Sequence, residues 1–253
     1  MGKWKKWLSS GLFTALLGTA IIAGPTADVS ANAGNKPYNI ENVSPDAHLA
    51  PSVGDSSSKT SSKAWHKIDG VCYNGSGKKV EGAITRGMDV SEWQGKINWK
   101  EAKKDLDFAF VRISYGTRHL DDYYDYNMTE AEAADVPVGT YVYSLAKTNK
   151  EALAEAQLAI RQMQGHKVSY PVAFDLEDEA TLGTLTRKEI SQIALTFCDE
   201  IRKAGYTPIL YMNLNWYNNF VDWNVLEGSG LDVWIASYGD TILAPSASKY
   251  KYT

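Results

Sequence analysis

The sequence predicts an α/β fold in which parallel strands and helical crossovers build a modified TIM-like (β/α) barrel. Three observations carry this expectation. From Gly87 onward, short apolar runs alternate with helix-period segments. Polar and acidic residues gather just past the ends of those runs, where such barrels place their working residues. The strongest helical stretches also carry their own start and stop signals.

The chain begins with a targeting segment. Lys3, Lys5 and Lys6 precede an uncharged stretch from Leu8 to Ala23, and Ala31, Asn32 and Ala33 offer small residues around a cleavage point. Residues 1–33 therefore read as a secretory signal peptide. Its apolar run of 16 residues falls short of the roughly 20 that span a bilayer, so a membrane contact is expected only if the segment stays uncleaved. Residues 34–63, rich in Ser, Asn, Pro and Lys, read as a disordered linker. Residues 64–85 hold Trp65, Ile68, Asp69, Gly70, Tyr73, Gly77 and Gly82 and read as a short hairpin leader packed on the main domain. This leader is similar to one copy of the aromatic-and-glycine repeats that bind wall polymers, and such repeats need stacked neighbours.

The barrel domain is expected over residues 86–253. Strands are predicted at Met88 to Val90, Phe108 to Ile113, Val138 to Ser144, Pro171 to Phe174, Pro208 to Met212 and Asp232 to Ala236. Between them, helices are predicted at Trp99 to Leu106, Asn127 to Ala134, Lys150 to Gln164 and Thr186 to Ala204. Gly165 and Gly205 are the stop signals, and Thr184 or Thr186 caps the last helix. Six strands do not close an eight-stranded barrel, and the 167 residues from Gly87 to Thr253 fall below the usual range of about 200 upward. The expectation is a C-terminally incomplete barrel lacking its last strands, with an open doubly wound sheet as the alternative.

Composition narrows the function. Removing the signal segment takes away three Lys and one Asp, so the formal charge moves from −4 to −6. No basic stripe suggests nucleic acid. The 8 Trp and 15 Tyr offer flat apolar faces of the kind that suit sugars, although core packing is the plainer reading for any single ring. Cys72 and Cys198 do not make a disulfide framework, and Cys198, within a predicted helix, reads as a small buried apolar residue. The four His are scattered without ligand spacing, so no metal site and no cofactor are expected, and a monomer is expected.

Three acids stand out. Asp89 ends the first strand, and Asp175 and Glu177 end the fourth. A strand has a period of two, so Asp175 and Glu177 share the inward face while Phe174 and Leu176 face the helices. Two carboxyls on one face raise each other's pKa and can keep one protonated as a general acid, which is what glycoside hydrolysis needs. The plainer alternative is a solvated acidic turn, with Asp178 and Glu179 as its natural members.

The residues Asp-Val-Ser-x-Trp-Gln-Gly at 89–95, Phe-Val-Arg at 110–112, Val-Gly-x-Tyr-x-Tyr-Ser at 138–144, Phe-Asp-Leu-Glu at 174–177 and Asp-Val-Trp-Ile-Ala-x-Tyr at 232–238 occur in that order. Together this set resembles the family 25 glycoside hydrolases, the lysozymes or N-acetylmuramidases. The resemblance implies cleavage of the β-1,4 bond from N-acetylmuramic acid to N-acetylglucosamine in peptidoglycan glycan strands, outside the cell and at the wall. It also implies that Asp89, Asp175 and Glu177 are catalytic, with Glu177 the proton donor. The family's further acidic residue near its last strand has no counterpart in this sequence.

Tyr141, Tyr143, Tyr211, Trp234 and Tyr238 lie at or near strand ends and are the candidate glycan contacts. Core packing is the stronger reading for Trp93, Trp99 and Trp223. Arg112, at the end of an apolar strand, is expected to form an ion pair with a buried carboxylate. The stretch from Glu155 to Arg161 reads as a solvated helix face. Two other functions fit parts of the sequence. One is a catalytically impaired wall-binding protein. The other is a chitinase-like glycosidase, which would carry another Asp two residues before Asp175, where this sequence has Ala173.

Overall fold

The computed structural model describes residues 16–17, 66–74, 77–83 and 85–236. The linker, Trp65, Tyr238 and all of the signal segment except Leu16 and Leu17 lie outside the described residues.

One sheet organises the molecule. Its parallel strands are β4 (Arg86–Val90), β5 (Phe108–Tyr115), β7 (Val138–Tyr143), β8 (Val168–Asp175), β9 (Pro208–Asn213) and β10 (Asp232–Ala236), neighbours in that order. A two-residue strand β1 (Leu16–Leu17) pairs in parallel with Arg86 and Gly87, and β6 (His119–Leu120) turns back antiparallel on β5. The crossovers carry α1 (Trp99–Ala102), α2 (Tyr124–Ala133), α3 (Asn149–Met163) and α4 (Arg187–Lys203). Two short helices, α5 (Leu214–Asn219) and α6 (Trp223–Leu226), fill the connection from β9 to β10. The result is the mixed α/β, curled parallel half-barrel that the alternation of elements predicts. Of the two threonines offered as cap for α4, Thr186 is the one used, in a reciprocal capping box with Glu189.

Two apolar layers hold the sheet. On the helix side, Phe174 stacks on Phe197 of α4 with ring centroids 4.0 Å apart, and Leu176 is fully buried. On the inner side, Phe108, Phe110, Ala173, Ile209 and Trp234 pack with Tyr141, Tyr170 and Tyr211. Phe108 lies flat on Tyr170, 4.7 Å between centroids. A side chain at Gly87 would collide with the Phe108 ring, which explains why the strand leading to Asp89 carries a glycine there. The strand parity of Phe174 and Leu176 is thus the expected one.

A bulge interrupts β5. Its register against β7 passes from Arg112 opposite Tyr141 to Ser114 opposite Val142, so Ile113 is an extra residue. Side-chain parity reverses there, and Tyr115 arrives opposite Tyr143 and stacks on it at 4.8 Å.

The leader forms β2 (His66–Ile68) and β3 (Val71–Tyr73), an antiparallel pair whose turn residues Asp69 and Gly70 both have positive φ. Lys67 Nζ reaches Asp107 at 2.7 Å, and the same carboxylate accepts the Arg86 N–H at 2.7 Å, tying the hairpin to the start of β4.

Two sequence expectations, and one alternative, fail here. Trp93 is not core: it is 49 % exposed on the turn after β4, whereas Trp99 is buried and donates to Asn127 at 3.1 Å. Glu155 is not on a solvated face: it is 2 % exposed and accepts from Ser144 Oγ at 2.8 Å and Leu145 N–H at 2.9 Å. Asp178 is not a solvated turn residue either, being 3 % exposed. Both cysteines are buried free thiols.

Candidate active site

The C-terminal ends of β4, β7, β8, β9 and β10 meet around a cavity of about 60 Å³ lined by Asp89, Tyr141, Asp175, Tyr211 and Trp234. Asp89 comes from β4 and Asp175 from β8, with Tyr141 of β7 opposite Ala173 in the ladder. Trp234 packs its edge against Tyr211 at 4.5 Å and tilts over Phe110 at 4.9 Å. Glu177 stands just past the end of β8, outside the cavity wall but close enough to Asp175 for their charges to interact.

All three acids are harder to ionise than usual. Burial pushes Asp89 up to about 6. Burial raises Asp175 well above the carboxylate range, and the negative charges of Glu177 and Asp89 raise it further. Burial takes Glu177 up to about 7, against hydrogen bonds from the backbone and side chain of Asn213 that favour its charged form. Asp175 Oδ1 and Glu177 Oε1 are buried and find no hydrogen-bond partner among the described residues. Neighbouring carboxyls partly withdrawn from water oppose one another's charge, so the group resists full ionisation. Burial, with the charges of Asp89 and Asp175, also raises the Tyr141 phenol, which stays a neutral hydroxyl.

The other expected residues separate into two groups. Tyr211 and Trp234 line the cavity with Tyr141; Tyr143 does not, because its hydroxyl is directed to Asp178 Oδ2 at 3.4 Å. Tyr115 donates to the same oxygen at 3.3 Å, while Asp178 Oδ1 accepts from Thr181 N–H at 2.8 Å and Thr181 Oγ at 2.7 Å. Arg112 meets the expected buried carboxylate in Asp121, Nε to Oδ2 at 2.9 Å, and its Nη2 lies 2.8 Å from Glu92. Asp121 also accepts the backbone N–H groups of Glu92 and Tyr123, so this ion pair fixes the turn after β4 against the loop after β6. Glu92, His119 and Asp122 bring ligand atoms within 4.8 Å of one another. His119 already bonds Glu92 at 2.6 Å, and the Arg112 guanidinium sits on the same carboxylate, which opposes a cation there.

Residues 88–252 match the glycosyl hydrolases family 25 over most of the chain. The chain belongs to that family. Among curated relatives, Lysozyme M1 of Streptomyces globisporus is 26 % identical over 164 residues, covering 61 % of this chain and 55 % of its own length. The family 25 chain spans about half the length of the curated relatives it matches. Among solved structures, a family 25 glycosyl hydrolase from Bacillus anthracis superposes with a TM-score of 0.53 at 22 % identity, over 72 % of this chain and 76 % of that one. The modular autolysin LytC from Streptococcus pneumoniae, solved with a synthetic peptidoglycan ligand, gives 0.59 at 22 % identity over 70 % of this chain and 44 % of its own. These likenesses establish the shared fold.

Sequence reasoning missed Asp121, Asp178 and Asn213 in this family 25 site. Asn213 had a local signal, an Asn immediately before a helix start, but α5 has only 6 residues and shows no usable periodicity. Asp121 and Asp178 sit in loops where only tertiary contacts distinguish them from solvated acids.

Proposed function

We propose that this chain is an exported glycosidase that hydrolyses the β-1,4 bond from N-acetylmuramic acid to N-acetylglucosamine in peptidoglycan. The observation that carries the reading is the cluster of Asp89, Asp175 and Glu177 at the strand ends, with Asp175 buried, Asp89 and Glu177 partly so, and all three made harder to ionise by burial. Within the family, curated and solved relatives are described as lysozyme and autolysin, and one was solved with a peptidoglycan ligand, which supports the same substrate here. Export rests on the N-terminal sequence; no helix among the described residues is long and apolar enough to cross a membrane.

In this mechanism Glu177 gives its proton to the glycosidic oxygen as the C1–O bond breaks and the oxygen takes the electron pair. Asp175 and Asp89, lining the cavity below, stabilise the positive charge that develops at C1 and the ring oxygen. Water completes the hydrolysis: its hydroxyl joins C1 and its other proton restores Glu177. Tyr141, Tyr211 and Trp234 supply a flat, partly polar wall for one sugar ring.

Two alternatives are weaker. A chitinase-like site needs a carboxylate at position 173, which holds an alanine buried against the inner aromatic layer. A pure binding protein would gain stability by discarding three clustered acids that their surroundings make costly to ionise.

Digestion of purified peptidoglycan with subsequent borohydride reduction and mass spectrometry tests the reading. The expected fragments end in reduced muramic acid, and Glu177→Gln lowers their release by about 10²-fold or more while the protein stays folded. Reduced glucosamine ends, or a fully active Glu177→Gln enzyme, refute it.

A further inference from the structure

Of the tryptophans among the described residues, Trp99, Trp216 and Trp234 are buried and Trp223 is half-buried. Trp93 differs from them, with 49 % of its surface exposed. It stands four residues after Asp89, on the single 3-10 turn Glu92–Gln94 that follows β4 at the strand end supplying Asp89 to the cavity. Four trans peptide links reach at most about 15 Å, so Trp93 lies within the span of a short oligosaccharide seated on the acids.

An exposed ring needs no explanation by itself. What sets Trp93 apart is how firmly the turn beneath it is held. Ser91 and Gln94 cap the turn reciprocally, the Ser91 N–H donating to Gln94 Oε1 at 2.8 Å. Gly95 ends it at a φ of 63°, which favours glycine. Glu92, next to Trp93, receives Arg112 Nη2 at 2.8 Å and His119 Nε2 at 2.6 Å, and its own N–H donates to the buried Asp121 at 2.8 Å. These contacts bring in a second apolar group. His119 and Asp121 bracket Leu120, which is 45 % exposed on β6. Two of the three large exposed apolar side chains among the described residues therefore stand on two segments that Glu92 ties together; the third, Ile68, is on the leader hairpin.

We propose that Trp93 is a sugar-stacking platform beside the catalytic cavity, with Leu120 contributing on the adjoining segment: it takes a ring of the glycan strand other than the two that flank the scissile bond. This inference rests on the glycosidase reading of the acids. In a β-1,4-linked strand the ring substituents are equatorial, so C–H groups cover both faces of each pyranose and suit the negative face of an indole. The Trp side chain has two torsions and its backbone is already fixed, so little freedom is lost when a sugar settles on it. The platform adds affinity for long strands over short ones and takes no part in bond breaking.

Initial rates on soluble peptidoglycan glycan fragments of increasing length test the proposal in wild type, Trp93→Ala and Trp93→Phe. In the wild type, kcat/KM is expected to rise with length and level off once the strand covers Trp93. In Trp93→Ala the loss of kcat/KM should be about tenfold larger for the longest fragments than for the shortest one cleaved, and should appear in KM more than in kcat. Trp93→Phe keeps a flat apolar face and should restore most of the length dependence. Calorimetric titration of the longest fragment into Glu177→Gln enzyme, with and without Trp93→Ala, should give a similar weakening without turnover. Thermal melts of each variant separate a lost contact from a lost fold. Equal losses at every length, or no loss, while the wild type releases muramic-acid ends, overturn the platform and leave the glycosidase reading standing. A wild type that releases no such ends sinks that reading, and the platform with it.

Discussion

Glu155 is a buried carboxyl with two hydrogen bonds and, among the described residues, no ion-pair partner, and burial raises it to about 7, with Glu151 adding to the effect. In the unfolded chain the same group ionises near its ordinary 4.5. Between those values the unfolded chain has released the proton while the folded one still holds it, so stability falls as pH rises from about 4.5 to 7 and levels off above. The span corresponds to a loss on the order of 3 kcal/mol. Glu155→Gln should remove that slope: chemical denaturation at pH 4.5 and at pH 8 is expected to show a smaller stability difference than in the wild type. An unchanged difference would mean that Ser144 and Leu145 satisfy the charged form fully. The position was legible, because Glu155 shares a helical stripe with Ala152, Ala156, Ala159 and Met163, all buried. Charge type alone argued for solvent, and the stripe was the better guide. The cavity residues Asp89, Asp175, Tyr141, Tyr211 and Trp234 were readable because each lies at or near a strand end. Asp178 and Asn213 were not, since only the fold supplies their partners.

At the scale of elements, the β5 bulge determines what happens beyond β8. Without the extra residue at Ile113, Tyr115 would face the helices; with it, Tyr115 and Tyr143 form a stacked pair that donates to Asp178. That carboxylate anchors the turn directly after Glu177, so a register shift two strands away helps set where the acid stands. Asp178→Ala leaves the half-buried Tyr115 and Tyr143 hydroxyls and the Thr181 donors without their acceptor, at a cost of up to about 1–3 kcal/mol for a group that water cannot reach. We expect a stability loss of about 2–4 kcal/mol by urea unfolding and a clear fall in turnover, whereas Tyr115→Phe keeps the stack and loses only a long hydrogen bond, under about 1.5 kcal/mol. Equal stability of Asp178→Ala and wild type would show that the turn holds itself. Strand β10 lies at the bounds its apolar run predicts, and the ends of α3 and α4 match their caps. The bulge, β6, α5 and α6 escaped because each depends on one to six residues, too few for a periodic signal.

For the molecule as a whole, alternating strand and helix was enough to anticipate a curled parallel sheet with its acids at one end. What the pattern could not convey is how the inner layer is filled. Phe108 lies on Tyr170 in the space that a side chain at Gly87 would need, two residues before Asp89. The two positions therefore share one volume. Gly87→Ala alone should cost about 1–3 kcal/mol through overpacking, and Phe108→Leu should cost stability through the space it vacates. The double variant should be more stable than the sum of the two losses by about 1 kcal/mol or more, measured as a double-mutant cycle in urea; strict additivity would mean that the ring simply swings aside. Such coupling ties the two positions together in divergence. Either single change passes through a weakened intermediate, one overpacked and the other hollowed, so the pair is expected to change together or not at all. The glycine before the first catalytic candidate is in that sense a record of its neighbour's size, and divergence of the two should be historically contingent.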